Sequence, residues 1–218
     1  LVPCSACYLN LRRVYETARQ NPEQLKRINE ILAEQNLQYS GKARPRHLLD
    51  ILTADIGTQP IMERLCRSLG GLRVAPYYGC QCLRPYPVFD DPETPNSMNA
   101  LLRAAGADIY DWTMGSRCCG ASHMTTHAEV GRELVFRILN AAKSADAVAT
   151  VCPMCQLNLE AYQKQISGHY HSPIRVPVFY LPQLLGRALG LDPAHLGMGP
   201  LPPAAKAGQP TPAMPEAK

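Results

Sequence analysis

The spacing of hydrophobic and polar residues changes near residue 70, and this change divides the chain into two parts. In the first part apolar residues recur at helical spacing, as in HLLDILTAD at 47–55. They predict helices at about 9–19, 22–34, 47–55 and 61–69, the last one ending at a Gly-Gly pair. The second part alternates short apolar runs with amphipathic segments. Its predicted strands lie at 72–76, 107–112, 147–151 and 176–180, and its predicted helices at 96–105, 127–143, 156–166 and 182–189.

This alternation predicts an α/β fold made of strand–helix repeats with a mostly parallel sheet. The cysteines fall at or just beyond the C-terminal ends of the predicted strands, and ligands bind at this edge in open α/β sheets. We therefore predict a largely helical part at 1–70, an α/β domain at 71–190 and a tail at 191–218. The tail is rich in Pro, Ala and Gly and has little to bury, so we expect it to be disordered.

Composition narrows the classes of function. The 218 residues carry a net charge of +4, and 46% of them are hydrophobic, with a mean hydropathy of −0.18. These values are typical of a soluble globular protein, and no apolar run approaches the ~18 residues of a membrane span. The mild charge and the lack of a nucleic-acid motif give no reason to expect a nucleic-acid partner. We expect a cytoplasmic protein with no transmembrane segment.

Nine cysteines supply the candidate chemistry. Their share of the chain is below the roughly 8–10% of small disulfide scaffolds. Clustered cysteines in a chain of this size are more typical of metal binding or redox chemistry. One complete set consists of Cys80, the Cys118-Cys119-Gly120 segment and the C-x-x-C pair Cys152 and Cys155.

A second C-x-x-C pair, Cys4 and Cys7, lies at the N-terminal edge and belongs to an internal repeat. Residues 4–11 and residues 152–159 share the pattern C-x-x-C-x-L-N-L. Such a repeat predicts that the N-terminal copy has its own upstream cysteine and its own Cys-Cys pair. The sequence also begins at Leu1 rather than at a methionine, and we interpret it as a fragment of a longer protein.

The spacing C-x37-C-C-x32-C-x2-C favours an iron–sulfur cluster over a single zinc ion. Zinc takes four ligands in a tetrahedron, usually from two C-x-x-C-like pairs, whereas the complete set has one such pair and one adjacent pair. Adjacent cysteine side chains diverge, so they chelate one small ion poorly but can bind two irons of a multinuclear cluster. Five thiolates also exceed the need of one zinc ion, and soft thiolate ligands in number select zinc or iron–sulfur.

Other interpretations of these cysteines remain open. Cys118 and Cys119 could be buried structural residues, since cysteine packs as a small apolar group. The pair at 152 and 155 could be a thioredoxin-like dithiol, although this leaves Cys80 and the repeat unexplained. A zinc-stabilised interaction module is a third possibility. Cys66 is expected simply to be packed. Cys82 competes with Cys80, and the preceding glycine favours Cys80 because it allows close backbone approach to an inorganic group.

At these residues the chain resembles the CCG-domain family, named for its Cys-Cys-Gly segment, and within it the family of the B-type subunit of heterodisulfide reductase. Several separate blocks occur in the order typical of that subunit. They are PCSACYLNLRRVYE at 3–16, YYGCQCLRP at 77–85, CCGASHM at 118–124, CPMCQLNLE at 152–160 and VFYLPQLLGRALG at 178–190.

The resemblance implies two CCG repeats, each holding one non-cubane [4Fe-4S] cluster with five cysteines. Residues 71–190 would be the second CCG domain, and residues 1–70 a remnant of the first with a helical connection. The ligands of the second cluster would be Cys80, Cys118, Cys119, Cys152 and Cys155. Cys4 and Cys7 would be the last two ligands of the first cluster, which is therefore only partly ligated by this chain.

The resemblance also implies a reaction and partners. The reaction is the reductive cleavage of a small disulfide to two thiols, with one electron from each cluster. Electrons would come from a ferredoxin-like iron–sulfur subunit and a flavin subunit of the same complex. The alternative within the family is an electron-transfer subunit of a 2-hydroxy-acid (glycolate or lactate) oxidoreductase or of a respiratory complex, which cleaves no disulfide.

Three charged or titratable residues near the cysteines are candidates for supporting roles. His123, four residues after Cys119, is a candidate proton donor, or else an ordinary structural or surface histidine. Arg84 and Arg117 adjoin cluster cysteines and could neutralise an anionic substrate or the cluster, or could be ordinary surface residues.

Overall fold

The computed structural model describes residues 1–203, which form an α/β fold around a four-stranded sheet with every strand pair parallel. The strands are β1 (Arg73–Tyr77), β2 (Asp108–Ile109), β3 (Ala147–Thr150) and β4 (Val178–Tyr180). The helices are α1 (Ser5–Gln20), α2 (Pro22–Ala33), α3 (Leu48–Ile51), α4 (Gln59–Glu63), α5 (Ser97–Ala104), α6 (Ala128–Ala141), α7 (Pro153–Ala161), α8 (Gln163–His169) and α9 (Leu181–Ala188). The predicted fold class is confirmed.

The strand order β2-β1-β3-β4 creates a crevice at the centre of the sheet. From β1 the chain moves outward to β2 on one side and then crosses to β3 on the other. Connections leave in opposite directions from β1 and β3, so the carboxyl ends of these two strands border an open crevice. In doubly wound sheets this switch point is the usual place for a ligand.

Two apolar cores cover the two faces of the sheet, because successive strand residues point to opposite sides. Val74, Ala147 and Ala149 face one core together with residues of α5 and α9. Ala75 and Val148 face the other core together with residues of α6, α7 and α8. With both faces covered, all four residues of β3 are buried, as expected for a central strand of a parallel sheet.

The N-terminal residues ahead of α1 pair through their backbone with the segment that leads into α3. The Val2 N–H donates to the Arg46 carbonyl (2.8 Å), and the Leu48 N–H donates to the Val2 carbonyl (3.0 Å). Residues 1–4 are thereby held beside the start of α3. Of the two helices that follow, α1 buries Tyr8 and Leu9, whereas no side chain of α2 is buried by the other described residues. This pairing fixes the position of the N-terminal C-x-x-C segment.

Several predicted elements differ from the structure. The helix predicted at 9–19 begins at Ser5, and the helix predicted at 47–55 is α-helical over Leu48–Ile51 and continues as a π-helix over Leu52–Ile56. The helix predicted at 61–69 is wrong beyond Glu63, because the N–H groups of Cys66 and Arg67 donate instead to the Ala188 carbonyl (2.9 and 3.0 Å). The strand predicted at 107–112 has two residues. The helix predicted at 156–166 begins earlier, at Pro153, and is followed by α8 from Gln163. Cys66 was expected to be packed and is exposed.

The segment predicted to be a disordered tail is described only up to residue 203. Within that part, Met198 and Leu201 pack against the core that contains α5 and α9. Residues 204–218 lie outside the described part of the chain. Across residues 1–203 no helix has the length and apolar character needed to cross a membrane.

Candidate metal centre

All five cysteines of the complete set line one cavity of about 140 Å³ at the switch point between β1 and β3. Cys80 follows β1, Cys118 and Cys119 follow the β2 strand by a loop, and Cys152 and Cys155 follow β3. The convergence that the spacing predicts therefore exists. The remaining lining residues are Ser5, Ala6, Tyr78, Gln81, Ala121, Ser122 and Met154.

A sharp turn after β1 brings Cys80 to the cavity. The N–H groups of Tyr78 and Gly79 both donate to the Gly115 carbonyl (2.8 and 3.1 Å), which ties this turn to the loop after β2. Gly79 has φ of +68°, a conformation that other residues adopt at a cost. A β-carbon at this position would lie 3.4 Å from the Cys155 sulfur. The glycine therefore lets the backbone pass close to a second cysteine of the set.

The Cys118-Cys119 pair lies on a loop that ends in a 3-10 turn at Ala121–His123. The Cys119 sulfur is 3.4 Å from the Cys155 sulfur. Gly120 has φ of +78°, and a β-carbon there would lie 2.9 Å from the Gly131 α-carbon of α6. The Cys-Cys-Gly segment thus needs its glycine because the backbone turns into the left-handed region while pressed against a helix.

The start of α7 supplies the last two sulfurs. Cys152 is the N-cap residue, and Cys155 lies within the first turn. The neighbouring Cys155 thiol lowers the pKa of Cys152 to about 5, and the nearby N–H groups of Cys155, Ala6 and Met154 act in the same direction. Helix N-termini favour thiolates in this way. The Ala6 contact also shows that the start of α1 lies directly against Cys152.

The thiols divide into hydrogen-bond donors and acceptors. A hydrogen bond from Cys80 lowers the pKa of Cys118 to about 6, and the charges of His123 and Arg84 act in the same direction. The same hydrogen bond, together with burial, raises the pKa of Cys80. Cys155, hydrogen-bonded to Cys119 and Cys152, likewise has a raised pKa, whereas that of Cys119 is lowered. Hydrogen bonds among these sulfurs therefore lower the pKa of one thiol of each pair and raise that of its partner.

Cys82 differs from Cys80 in its surroundings. It is 0% exposed, donates a hydrogen bond to the Tyr78 carbonyl (3.2 Å) and lies outside the set of described residues that line the cavity. Burial raises its pKa to about 12, and the pKa of Cys80 is raised as well, so acidity does not separate the two thiols. Of these two cysteines, Cys80 is the one that lines the cavity.

The N-terminal pair Cys4 and Cys7 lies next to the cavity but does not contribute to its wall among the described residues. Cys4 is partly buried and packs against the core that contains Cys152, and burial raises its pKa to about 11. Cys7 is exposed. The two residues between them, Ser5 and Ala6, line the cavity instead.

The candidate supporting residues lie beside the cavity. His123 is partly exposed in the 3-10 turn, close enough to Cys118 to lower its pKa. Arg84 donates to Glu93 (2.9 Å) and to the Ser116 carbonyl, and its charge lowers the pKa of both Cys80 and Cys118. Arg117 has an exposed side chain. Of the two arginines, Arg84 has the electrostatic contact with the cysteines.

Several buried residues around the cysteines were missed by sequence reasoning. Tyr77 and Asn158 donate hydrogen bonds to carbonyls of the Cys118-Cys119 loop. His47 contacts Ser5 through its Nε2 atom (3.3 Å). Asn158 had a detectable signal, because the repeat places Asn10 at the same position after Cys7. Tyr77 and His47 had no such signal in the sequence.

Within residues 1–203, no three His, Cys, Asp or Glu side chains are grouped as they would be around a single metal ion.

Comparison with known proteins places this arrangement in a family. The CCG family, a cysteine-rich domain, matches residues 74–160. The 8-methylmenaquinol:fumarate reductase membrane anchor subunit of Wolinella succinogenes is 32% identical over 203 residues, which cover 91% of this chain and 70% of that protein. A protein of Archaeoglobus profundus that is named as similar to the B-type subunit of heterodisulfide reductase is 30% identical over 201 residues, covering 88% and 67%.

A further relative and a solved structure, both of lower identity, support the same family and fold. The B-type subunit of the ferredoxin/F420H2-dependent CoB-CoM heterodisulfide reductase of Methanosarcina acetivorans is 29% identical, covering 91% of this chain and 68% of that protein. The crystal structure of a hypothetical protein from Helicobacter pylori shares the fold, with a TM-score of 0.65 and 17% identity, over 88% of this chain and 35% of the other. The chain therefore belongs to the CCG-domain family that includes the B-type subunit of heterodisulfide reductase.

Proposed function

We propose that this chain is the catalytic iron–sulfur subunit of a heterodisulfide-reductase-like complex and reduces a disulfide to two thiols. In this proposal Cys80, Cys118, Cys119, Cys152 and Cys155 hold one non-cubane [4Fe-4S] cluster. The observation that carries it is the convergence of five thiols, from three separate segments, on one cavity at the switch point of the sheet.

The cavity fits a compact inorganic group. Its volume of about 140 Å³ is below the ~300–1,000 Å³ of pockets for organic ligands and equals roughly five water volumes. Its walls offer sulfur from five residues, and sulfur is the donor that iron–sulfur clusters require.

Residues around the cavity supply a proton donor and a positive charge for the reaction. When bound, the cluster supplies electrons for disulfide reduction, which consumes two electrons and two protons. His123, beside Cys118, is placed to donate a proton to a departing thiolate. Arg84 places positive charge beside Cys80 and Cys118, where negative charge accumulates. Cys4 and Cys7 serve as two ligands of a second cluster that this chain only partly encloses.

The partners belong to the proposal as well. We expect a ferredoxin-like iron–sulfur subunit and a flavin subunit to deliver electrons in the cytoplasm. Free cysteines throughout the described chain are consistent with a reducing compartment. Similarity to subunits of multi-subunit reductases supports partner subunits in general.

A second candidate function follows from one comparison. The relative from Wolinella succinogenes is named as a subunit of a fumarate reductase, and that name mentions no disulfide. In this alternative the cysteine-bound cluster only relays electrons, as it also would in a 2-hydroxy-acid (glycolate or lactate) oxidoreductase or a respiratory complex. The two functions share the metal site and differ in whether a substrate sulfur meets the cluster.

The test is anaerobic reconstitution of the chain with iron and sulfide, followed by metal analysis and electron paramagnetic resonance. We expect iron and acid-labile sulfide in the wild type and in Cys66→Ser, an exposed cysteine outside the cavity, and their loss in Cys119→Ser. A new paramagnetic signal on adding a small thiol to the oxidised protein supports disulfide reduction. Its absence with intact iron binding favours the relay, and zinc without iron contradicts both functions.

A further inference from the structure

The Cys118-Cys119 loop is the part of the cysteine set with the least support from regular structure. Cys80 closely follows a strand, and Cys152 and Cys155 open a helix, whereas residues 110–120 contain neither helix nor strand. Two of the five sulfurs nevertheless come from this loop. A cluster bound by all five sulfurs would need the loop held at a fixed distance from the other two segments.

Two buried side chains donate hydrogen bonds to this loop, one just before the cysteine pair and one at its end. The Tyr77 hydroxyl donates to the Arg117 carbonyl (2.7 Å), immediately before Cys118. The Asn158 amide donates to the Cys119 carbonyl (2.8 Å), immediately before Gly120. Their hydrogen bonds thus bracket the cysteine pair. We call Tyr77 and Asn158 the loop anchors.

The loop anchors come from the same elements as the other three cysteines. Tyr77 is the last residue of β1, three residues before Cys80. Asn158 lies in α7 three residues after Cys155, so the two share one face of that helix. Each hydrogen bond therefore joins the loop directly to the element that bears another ligand.

Burial explains why polar residues are needed at these positions. Tyr77 is 0% exposed and Asn158 is 5% exposed. A buried polar group without a partner destabilises the fold, and an apolar side chain would fill the same space without that penalty. The Tyr77 hydroxyl and the Asn158 amide each find their hydrogen-bond partner in one of the two loop carbonyls. The C-x-x-C-x-L-N-L repeat also keeps an asparagine, Asn10, at the equivalent position of α1.

From these contacts we infer that Tyr77 and Asn158 are positioning residues, which set the Cys118-Cys119 loop at the spacing the metal centre requires. This inference rests on the proposed function, because the loop would be positioned in order to bind a cluster. The two hydrogen bonds themselves form without any bound metal. Loss of either bond should loosen residues 116–121 before any iron is present.

The first measurement is amide hydrogen exchange of the reduced, metal-free protein. We expect Tyr77→Phe and Asn158→Leu each to raise exchange of residues 116–121 about tenfold, the effect of one lost buried hydrogen bond. Tyr77→Phe removes a single oxygen atom, so it decides the matter if Asn158→Leu does not fold. An unchanged exchange rate in both variants overturns the inference.

Control variants remove hydrogen bonds that do not join residues 116–121 to another element. The Tyr110 hydroxyl donates to the Ala141 carbonyl (3.3 Å), and the Gln163 amide donates to the carbonyls of Leu159 and Val176 (3.1 and 2.8 Å). We expect Tyr110→Phe and Gln163→Leu to leave exchange of residues 116–121 unchanged. An equal rise in these controls would mean general loosening of the domain and would overturn the inference.

The second measurement separates this inference from the proposed function. In reconstituted protein we expect both anchor variants to bind less iron and to give a broadened paramagnetic resonance spectrum. Faster loop exchange with wild-type iron content and spectrum would overturn the positioning role. If the wild type bound no iron, the proposed function would be contradicted. The exchange rates of the metal-free protein would still show whether Tyr77 and Asn158 hold the loop.

Discussion

Cys4 and Cys152 occupy equivalent positions at the starts of two helices. Cys4 is the N-cap residue of α1 with φ −135° and ψ 126°, and Cys152 is the N-cap residue of α7 with φ −135° and ψ 116°. In each case the second cysteine of the C-x-x-C follows within the first turn. The repeat found in the sequence is therefore also a repeat of local structure. It does not make the two pairs equivalent in the cavity, because only the second pair lines it.

This difference predicts how the two pairs respond to substitution. In a Cys4→Ser/Cys7→Ser variant we expect the five-cysteine site to keep its iron, because neither residue lines the cavity. In a Cys152→Ser/Cys155→Ser variant we expect iron binding to be lost, because two of the five proposed ligands are removed. Iron and acid-labile sulfide per chain after anaerobic reconstitution measure both. Equal loss in the two variants would contradict the assignment of ligands.

Gly120 is predicted to tolerate no side chain. Its φ of +78° costs a residue with a β-carbon about 1–2 kcal/mol, and that β-carbon would lie 2.9 Å from the Gly131 α-carbon. We expect Gly120→Ala to lower the free energy of unfolding by about 2 kcal/mol or more and to displace the adjacent Cys119. Denaturant unfolding of the metal-free protein measures the first effect, and iron content after reconstitution the second.

Gly168 in α8 provides the control for this prediction. Nothing lies within 4 Å of the β-carbon that an alanine would add there, and its backbone is helical. Gly168→Ala should therefore raise the free energy of unfolding by about 0.5–1 kcal/mol. If the two alanine variants had the same stability, the proposed strain at the Cys-Cys-Gly turn would be wrong.

Secondary structure elements were predictable from the sequence where the local pattern of apolar residues determines them. Short apolar runs ending at cysteines indicated parallel strands, and the parallel arrangement brings their carboxyl ends to one edge. The helix predicted at 61–69 failed because its backbone binds the Ala188 carbonyl, a partner about 120 residues away along the chain. The strand predicted at 107–112 is shorter because β2 pairs with β1 only at Asp108 and Ile109.

The site was predictable in its sulfur chemistry and only partly in its geometry. Spacing alone gave the five cysteines but left Cys80 and Cys82 in competition, since both lie just after β1. The structure separates them by burial, which depends on the packing of distant elements. Tyr77 offered no signal, because its carbonyl partner is 40 residues away in sequence. Asn158 was visible as part of the repeat, but its role was not.

The contrast between Cys80 and Cys82 gives a third prediction. Cys80→Ser should abolish iron binding at the five-cysteine site, because it removes a sulfur from the cavity wall. Cys82→Ala should keep it and lower the free energy of unfolding by about 1 kcal/mol, the typical effect of a small buried deletion. Iron content and denaturant unfolding distinguish the two variants. Retention of iron by Cys80→Ser together with its loss in Cys82→Ala would reverse the assignment.

The buried histidine gives a prediction about pH. His47 is 0% exposed, its Nδ1 atom accepts from the Leu49 N–H (3.1 Å), and its ring stacks on Phe89. Burial lowers its pKa from 6.5 to about 4, although the Val151 carbonyl and Asp50 oppose this shift. Folding therefore favours the neutral ring, while the unfolded chain takes up a proton below pH 6.5.

Stability should accordingly fall as the pH drops through this window. A shift of this size lowers the free energy of unfolding by about 3 kcal/mol between pH 6.5 and pH 4. His47→Asn keeps an acceptor for the Leu49 N–H but cannot titrate, so its stability should change less over the same range. The two proteins contain the same carboxylates, so the difference between the two denaturation series reports on the substitution of His47. Parallel curves for wild type and variant would show that this histidine is not held neutral, and would contradict its burial between α1 and the end of β3.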